Sequence, residues 1–217
     1  LDGRGSQFWY KEVGSQAVHG RLSLAATTDA VYMAGTTEMG YSEVQKFSTE
    51  QGTPLWAIPL DLGLKVYEGP RGIAVTGSGE GYVTGFALSS VDGELWQGDE
   101  DVFVIKFDHT GQKLWTKMFG SAADDRTASI AVDPFGHVFV TGYFGKEDAP
   151  SYKTSFEGSI SNGDYDAFLV KLSSNGELLW SRVWGTSKDN RAQAVDTDEN
   201  GNVYVAGVSE ERLPHSD

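Results

Sequence analysis

Two stretches of this sequence superimpose residue for residue. Asp101-Val-Phe-Val-Ile-Lys-Phe, a turn at Gly111, then Trp115 and Gly120, recur without a gap as Asp166-Ala-Phe-Leu-Val-Lys-Leu, Gly176, Trp180 and Gly185. A weaker copy runs from Glu43-Val-Gln-Lys-Phe through Gly52 to Trp56, and Phe8-Trp9 to Gly14 is the tail of another. A second block alternates with the first. Ile130-Ala-Val-Asp-Pro-Phe-Gly-His-Val-Phe-Val-Thr-Gly142 matches Val195-Asp-Thr-Asp-Glu-Asn-Gly-Asn-Val-Tyr-Val-Ala-Gly207. Gly35, Gly85, Gly142 and Gly207 close the copies of this block, 50, 57 and 65 residues apart. Periods of this size belong to stacked supersecondary units, none of which buries its apolar face alone.

Each unit contains four short segments that alternate apolar and polar residues, rich in Val, Phe, Tyr and Trp and separated by glycine turns. That is strand chemistry with a period of two, and no helical period is sustained anywhere. Four antiparallel strands (A to D) per repeat give an all-β chain of β-propeller blades. The repeats run over about 17–60, 69–119 and 126–184. In the third, strands A to D fall at about 126–133, 137–143, 166–172 and 178–184. A partial fourth repeat (191–208) holds A and B only, and residues 7–13 form an orphan D strand. The whole of 1–217 therefore reads as one β-propeller domain or segment, three complete blades and parts of a fourth, within a longer propeller. Further blades or another chain are expected to complete it.

On the residues just quoted, the sequence resembles the SBBP family of β-propeller repeats, over nearly its whole length. The first unit departs from the pattern, with Tyr41-Ser-Glu-Val-Gln-Lys-Phe in place of the Asp-x-Phe start and Thr27-Thr-Asp-Ala in place of a glycine turn. The resemblance implies a secreted or cell-surface binding or structural module without a shared catalytic site. A second similarity is to quinoprotein (PQQ) propellers, through Asp108-His-Thr-Gly-Gln-Lys-Leu-Trp115, where the Asp-to-Trp spacing is seven, one short of that family's eight. It implies an alternative, a cofactor-dependent propeller enzyme. The physical reading of the same residues is that Gly111 and Gly176 form C–D turns while Trp115 and Trp180 pack between neighbouring blades.

In such blades the A–B and C–D turns share one face, and the B–C and D–A connections share the other. The A–B and C–D turns are tight, as at Pro134-Phe-Gly136. Two B–C loops are long, about 87–100 and 145–163, and long loops in compact domains tend to carry function. Ligand recognition is therefore expected on that face. From the first loop and the strand after it come Trp96, Asp99 and Asp101; from the second come Tyr152, Asp164 and Asp166. The D–A segments add Asp124, Asp125 and Asp189, with Arg126 and Arg191 at equivalent starts of strand A. A tryptophan beside carboxylates suits a sugar, a cationic segment of a protein or a divalent ion; its alternative is a loop mini-core with a solvated acidic rim.

Metal binding has one local motif, Asp196-Thr-Asp198-Glu-Asn200-Gly201, the first half of a Ca²⁺ loop, in which oxygens alternate before a glycine turn. Position twelve is Gly207 rather than Glu, so a polar A–B turn is the competing reading. Catalytic constellations are lacking: His19, His109, His137 and His215 make no cluster, and no nucleophile elbow or phosphate loop occurs. The expectation is thus no enzyme and no cofactor, with Ca²⁺ as the one candidate ion. Composition adds limits. With 31 acidic against 17 basic residues the net charge is −14, which argues against nucleic acid and toward cationic partners. No cysteine is present, removing disulfides and thiolate chemistry. No apolar run suits membrane insertion, and no signal peptide follows Leu1, so the extracellular placement rests on the resemblance.

Overall fold

The computed structural model describes residues 9–10, 22–36, 40–62, 69–145, 154–161 and 163–213. Sixteen strands and no helix occur among them. The first sheet is an antiparallel meander of β1 (Ser23–Ala26), β2 (Ala30–Thr36), β3 (Ser42–Ser48) and β4 (Pro54–Pro59). The second repeats it with β5 (Gly69–Val75), β6 (Gly81–Ala87), β7 (Asp101–Phe107) and β8 (Lys113–Phe119). In the third, β9 (Asp124–Val132) and β10 (Val138–Gly145) are followed by a small hairpin, β11 (Ser155–Phe156) and β12 (Ser159–Ile160). β13 (Tyr165–Leu172) and β14 (Leu178–Trp184) then complete that sheet. The last sheet has two strands, β15 (Asn190–Thr197) and β16 (Val203–Ser209). These are β-propeller blades, with the A strands β1, β5, β9 and β15 packed along one another at the inner edge.

One turn chemistry sets the strand spacing. At Thr76, Asp108, Asp133, Ser173 and Asp198 the backbone N–H donates to the carbonyl four residues on, and the backbone carbonyl accepts from the N–H of a residue three on that is always glycine. Those glycines have φ of 79–89°, the left-handed region that favours glycine. In four of the five turns the first residue's side-chain oxygen also accepts two backbone N–H bonds across the turn. The Asp198 motif is one member of this series.

Apolar faces are buried between sheets. Tyr32, Val44, Val83, Phe103 and Phe107 fill the joint between the first and second. Tyr82, Val104, Val140, Phe144 and Phe168 fill the next, and Phe139, Leu169 and Val195 the third. Tryptophans lock these joints as expected. Trp56 and Lys46, paired across β4 and β3, both donate to the His109 carbonyl of the next blade at 3.1 Å. Trp115 and Lys106 repeat this on the Ser174 carbonyl, at 3.1 and 3.2 Å. Trp9 donates to the Thr49 carbonyl at 2.7 Å, the place a D-strand tryptophan of a preceding blade takes. The rest of the orphan strand, Tyr10 apart, lies outside the described residues.

Two details differ from the sequence reading. Strand A of the third blade starts at Asp124 rather than 126. The second long loop also contains the β11–β12 hairpin, whose Phe156 is fully buried and stacks on Phe168 at 4.5 Å. That aromatic belongs to the core, because alternation over two residues is too short to signal a strand.

Candidate binding site

The site begins with an irregularity in three A strands. β5, β9 and β15 each carry one residue more than the B strand they pair with, and the extra residues are Arg71, Ala128 and Gln193. Such bulges turn a side chain away from the regular pleat. All three line one pocket of about 450 Å³, together with Phe86, Arg126, Thr127, Tyr143 and Arg191. The bulge requires a glycine opposite it. A Cβ on Gly85, Gly142 or Gly207 would lie 2.2, 2.0 or 2.3 Å from the carbonyl oxygen of Gly69, Arg126 or Arg191. At Gly85, Gly142 and Gly207, three of the glycines that mark the repeat period, the missing side chain admits the bulge.

Arginines dominate the lining. Arg71 lies 4.6 Å and Arg126 5.8 Å from the Phe86 ring centre. Arg191 sits 4.8 Å from Tyr143 and 4.6 Å from Tyr165. Aromatic faces hold a guanidinium plane without consuming its N–H donors. Carboxylates fix the inner edges. Arg191 donates from Nε to Asp189 at 2.9 Å and from Nη2 to the other oxygen at 2.8 Å. Arg126 donates from Nε to Glu100, and its Nη2 lies 3.5 Å from Asp124. Burial opposes the charge of Arg126, yet Glu100 and Tyr143 outweigh it and hold the group more firmly protonated than usual. Arg191 behaves likewise through Asp189.

The residues expected on this face divide into three groups. Arg126, Arg191, Asp124 and Asp189 are brought together at the pocket. Asp101, Asp125 and Asp166 are not available to a ligand, because each is fully buried. Asp101 accepts from the Gln97 N–H at 2.6 Å, and Asp125 accepts from the Ser121 N–H and hydroxyl at 2.7 and 2.9 Å. Both line the same joint: a Cβ on Gly120 would lie 2.5 Å from Asp101 Oδ1 and 3.1 Å from Asp125 Oδ2. Burial, with the Asp101 and Asp124 charges adding to it, pushes the Asp125 carboxyl up to about 8. The third group lies on loops. Trp96 is 41% exposed, Asp99 is exposed and Asp164 half-buried. Tyr152 lies outside the described residues.

The first long loop is pinned outward rather than over the axis. Asp92 accepts from Lys113 at 2.6 Å and from Thr116, and Lys117 meets Glu94 at 3.3 Å, all along β8. Only its end turns inward, where the Asp125 N–H donates to the Glu100 carbonyl at 2.7 Å. Arg71, Phe86, Tyr143 and Gln193 escaped the sequence reading. The spacing of Arg126 and Arg191 was visible, but the alternation of strand A alone does not show which residue the ladder skips.

In the proposed Ca²⁺ loop, Asp198 Oδ1 accepts the Asn200 and Asn202 N–H groups at 2.9 Å. Its Oδ2 accepts from the Asn202 amide and the Tyr204 hydroxyl at 2.8 and 3.1 Å. Asp196 accepts from the Thr197 N–H at 2.8 Å, and Asn200 is exposed in the turn. Asp198 is thus held by the turn itself. Among the described residues no three acidic, histidine or cysteine side chains are grouped as metal ligands. His137 pairs with Asp133 at 2.8 Å on the face of the A–B turns. His109 lies in a C–D turn, and His19 and His215 lie outside the described residues.

No known family model matches this sequence. It is 33% identical over 119 residues to an uncharacterized WD repeat-containing protein, L264, of Acanthamoeba polyphaga mimivirus, covering 51% of this chain and 9% of that one. It is 27% identical over 128 residues to the regulatory protein FlaEY of Caulobacter vibrioides, covering 59% and 13%. The chain thus spans about a tenth of the length of these relatives. Among solved structures, a protein of unknown function from Bacteroides caccae matches with a TM-score of 0.50 at 14% identity, over 86% of this chain and 53% of that one. That likeness concerns the fold alone.

Proposed function

We propose that this chain is a non-catalytic recognition module, which binds a protein partner through the face where the D–A and B–C connections gather. One observation carries the reading: successive blades each bulge one residue out of the inner strand, and all three residues open onto one pocket at that face. A scaffold of joints locked by tryptophan and lysine presents that pocket without rearrangement, which lowers the entropic cost of binding. The resemblance noted above supports a secreted or surface location. To test it, peptides are selected from a random display library on this chain and measured on variants. Affinity is expected to fall in W96A and R191Q but to survive F135A on the opposite face. Sensitivity to F135A alone would refute the reading.

A second reading, assembly, is favoured by the last sheet. Among the described residues β16 is bonded on one side only, and it exposes Tyr204, Val205 and Val208. Unpaired strand edges with apolar side chains recruit further strands. Concentration-dependent association in light scattering that is lost in V208K supports this reading, and a monomer at all concentrations opposes it.

A further inference from the structure

The two ends of the inner edge are lined by different charged groups. Toward the A–B turns, a cavity of about 650 Å³ has Glu80, Asp133, Asp198 and Glu199 on its wall. Toward the D–A turns, the wall carries Arg71, Arg126 and Arg191. Glu100, Asp124 and Asp189 balance the charge of the three arginines from behind, so the pocket presents oriented guanidinium donors rather than a net positive field. The ion pairs engage Nε and Nη2 of Arg126 and Arg191, and Arg126 also bonds Tyr143, so Nη1 of Arg191 is the donor group outside these pairs. The 3.5 Å contact to Asp124 is also the loosest of them. Stacking on Phe86, Tyr143 and Tyr165 fixes the planes in advance.

We propose that this pocket takes the side-chain carboxylates of an acidic segment of the partner protein, with Arg126 and Arg191 selecting it. The proposal rests on the recognition role assigned to this face. A carboxylate matches the fork of an arginine, as Asp189 already does on Arg191. Glu100, Asp124 and Asp189 beside the pocket penalise a doubly charged phosphate more than a singly charged carboxylate. A pocket of about 450 Å³ admits side chains rather than a folded element. Gln193 supplies a neutral hydrogen-bonding group beside them.

The test uses fluorescein-labelled hexaglutamate and hexaglutamine peptides, read by fluorescence anisotropy in physiological salt. Hexaglutamate is expected to bind more tightly, and R126Q and R191Q each to weaken it about tenfold, which is ~1.4 kcal/mol. K117Q on the outer strand is expected to change nothing. R126K and R191K, which keep the charge but lose the paired fork, give an intermediate loss and cover a glutamine variant that folds poorly. Equal binding of the two peptides, or an equal loss in K117Q, overturns the proposal. So does displacement by inorganic phosphate at lower concentration than by succinate. If hexaglutamate fails while library-selected neutral peptides still respond to W96A, only the carboxylate assignment falls. If those peptides ignore this face as well, the recognition reading falls with it.

Discussion

Asp125 is a fully buried carboxyl group whose Oδ1 has no hydrogen-bond partner among the described residues. Its counterpart one repeat on is Asn190, a neutral side chain that donates to the Lys188 carbonyl at 2.6 Å and accepts from Ser209. With a pKa of about 8 in the folded chain against 3.8 for an exposed aspartate, Asp125 keeps a proton that the unfolded chain releases. Between these values the folded state binds more protons, so stability falls as pH rises from about 4 through about 8 and levels off above. Asp101, also pushed up by burial, acts in the same direction. Asp125→Asn removes most of this dependence. Its Tm is expected to match wild type near pH 4 and to exceed it by several degrees near pH 9, at roughly 2–4 °C per kcal/mol. Parallel melting curves for the two proteins across that range would refute the assignment. From sequence, Asp125 reads as a D–A loop carboxylate and Asp101 and Asp166 as ligand-facing entries to strand C, because a polar residue at a strand end carries no mark of the joint that closes over it.

At the scale of elements, the repeating device is a tryptophan of strand D whose indole N–H reaches the C–D turn of the next blade. Trp56 and Trp115 find an acceptor there, at the His109 and Ser174 carbonyls. Trp180 occupies the same place in the third blade, yet its N–H meets no carbonyl among the described residues, since the fourth sheet has no C–D turn. Phenylalanine keeps most of the apolar contact and removes the donor. Trp115→Phe is therefore expected to cost about 1 kcal/mol in denaturant unfolding, while Trp180→Phe costs close to nothing. Equal losses would mean that ring packing alone, not the hydrogen bond, locks the joint. These elements were legible because turn glycine, tryptophan and strand alternation recur in fixed order. The β11–β12 hairpin and the three bulges were not. The hairpin occurs once, and each bulge is defined by a mismatch between two strands rather than by either strand's own pattern.

At the scale of the whole molecule, repeats that look equal in sequence differ in stability because they differ in neighbours. Every residue of β6 and β7 is buried, with a packed blade on either side. In β16 one residue is half-buried and the other six are exposed, for among the described residues its sheet meets a neighbour on one side only. In a chain of stacked units, stability is the sum of each unit's own term and those of its interfaces, so an end unit lacks one interface. Local opening then ranges from nearly free at such an end to the global unfolding energy in the middle. Native-state hydrogen exchange is expected to show the slowest amides in β6, β7, β10 and β13 and the fastest strand amides in β16. The arginine pocket spans this gradient, since Arg71 belongs to the second blade, Arg126 to the third and Arg191 to the two-stranded sheet. A ligand bridging all three ties the weakest sheet to the strongest, so hexaglutamate is expected to slow exchange in β15 and β16 more than in β7. Equal protection in every blade, before or after ligand, would show that the described blades open as one cooperative unit.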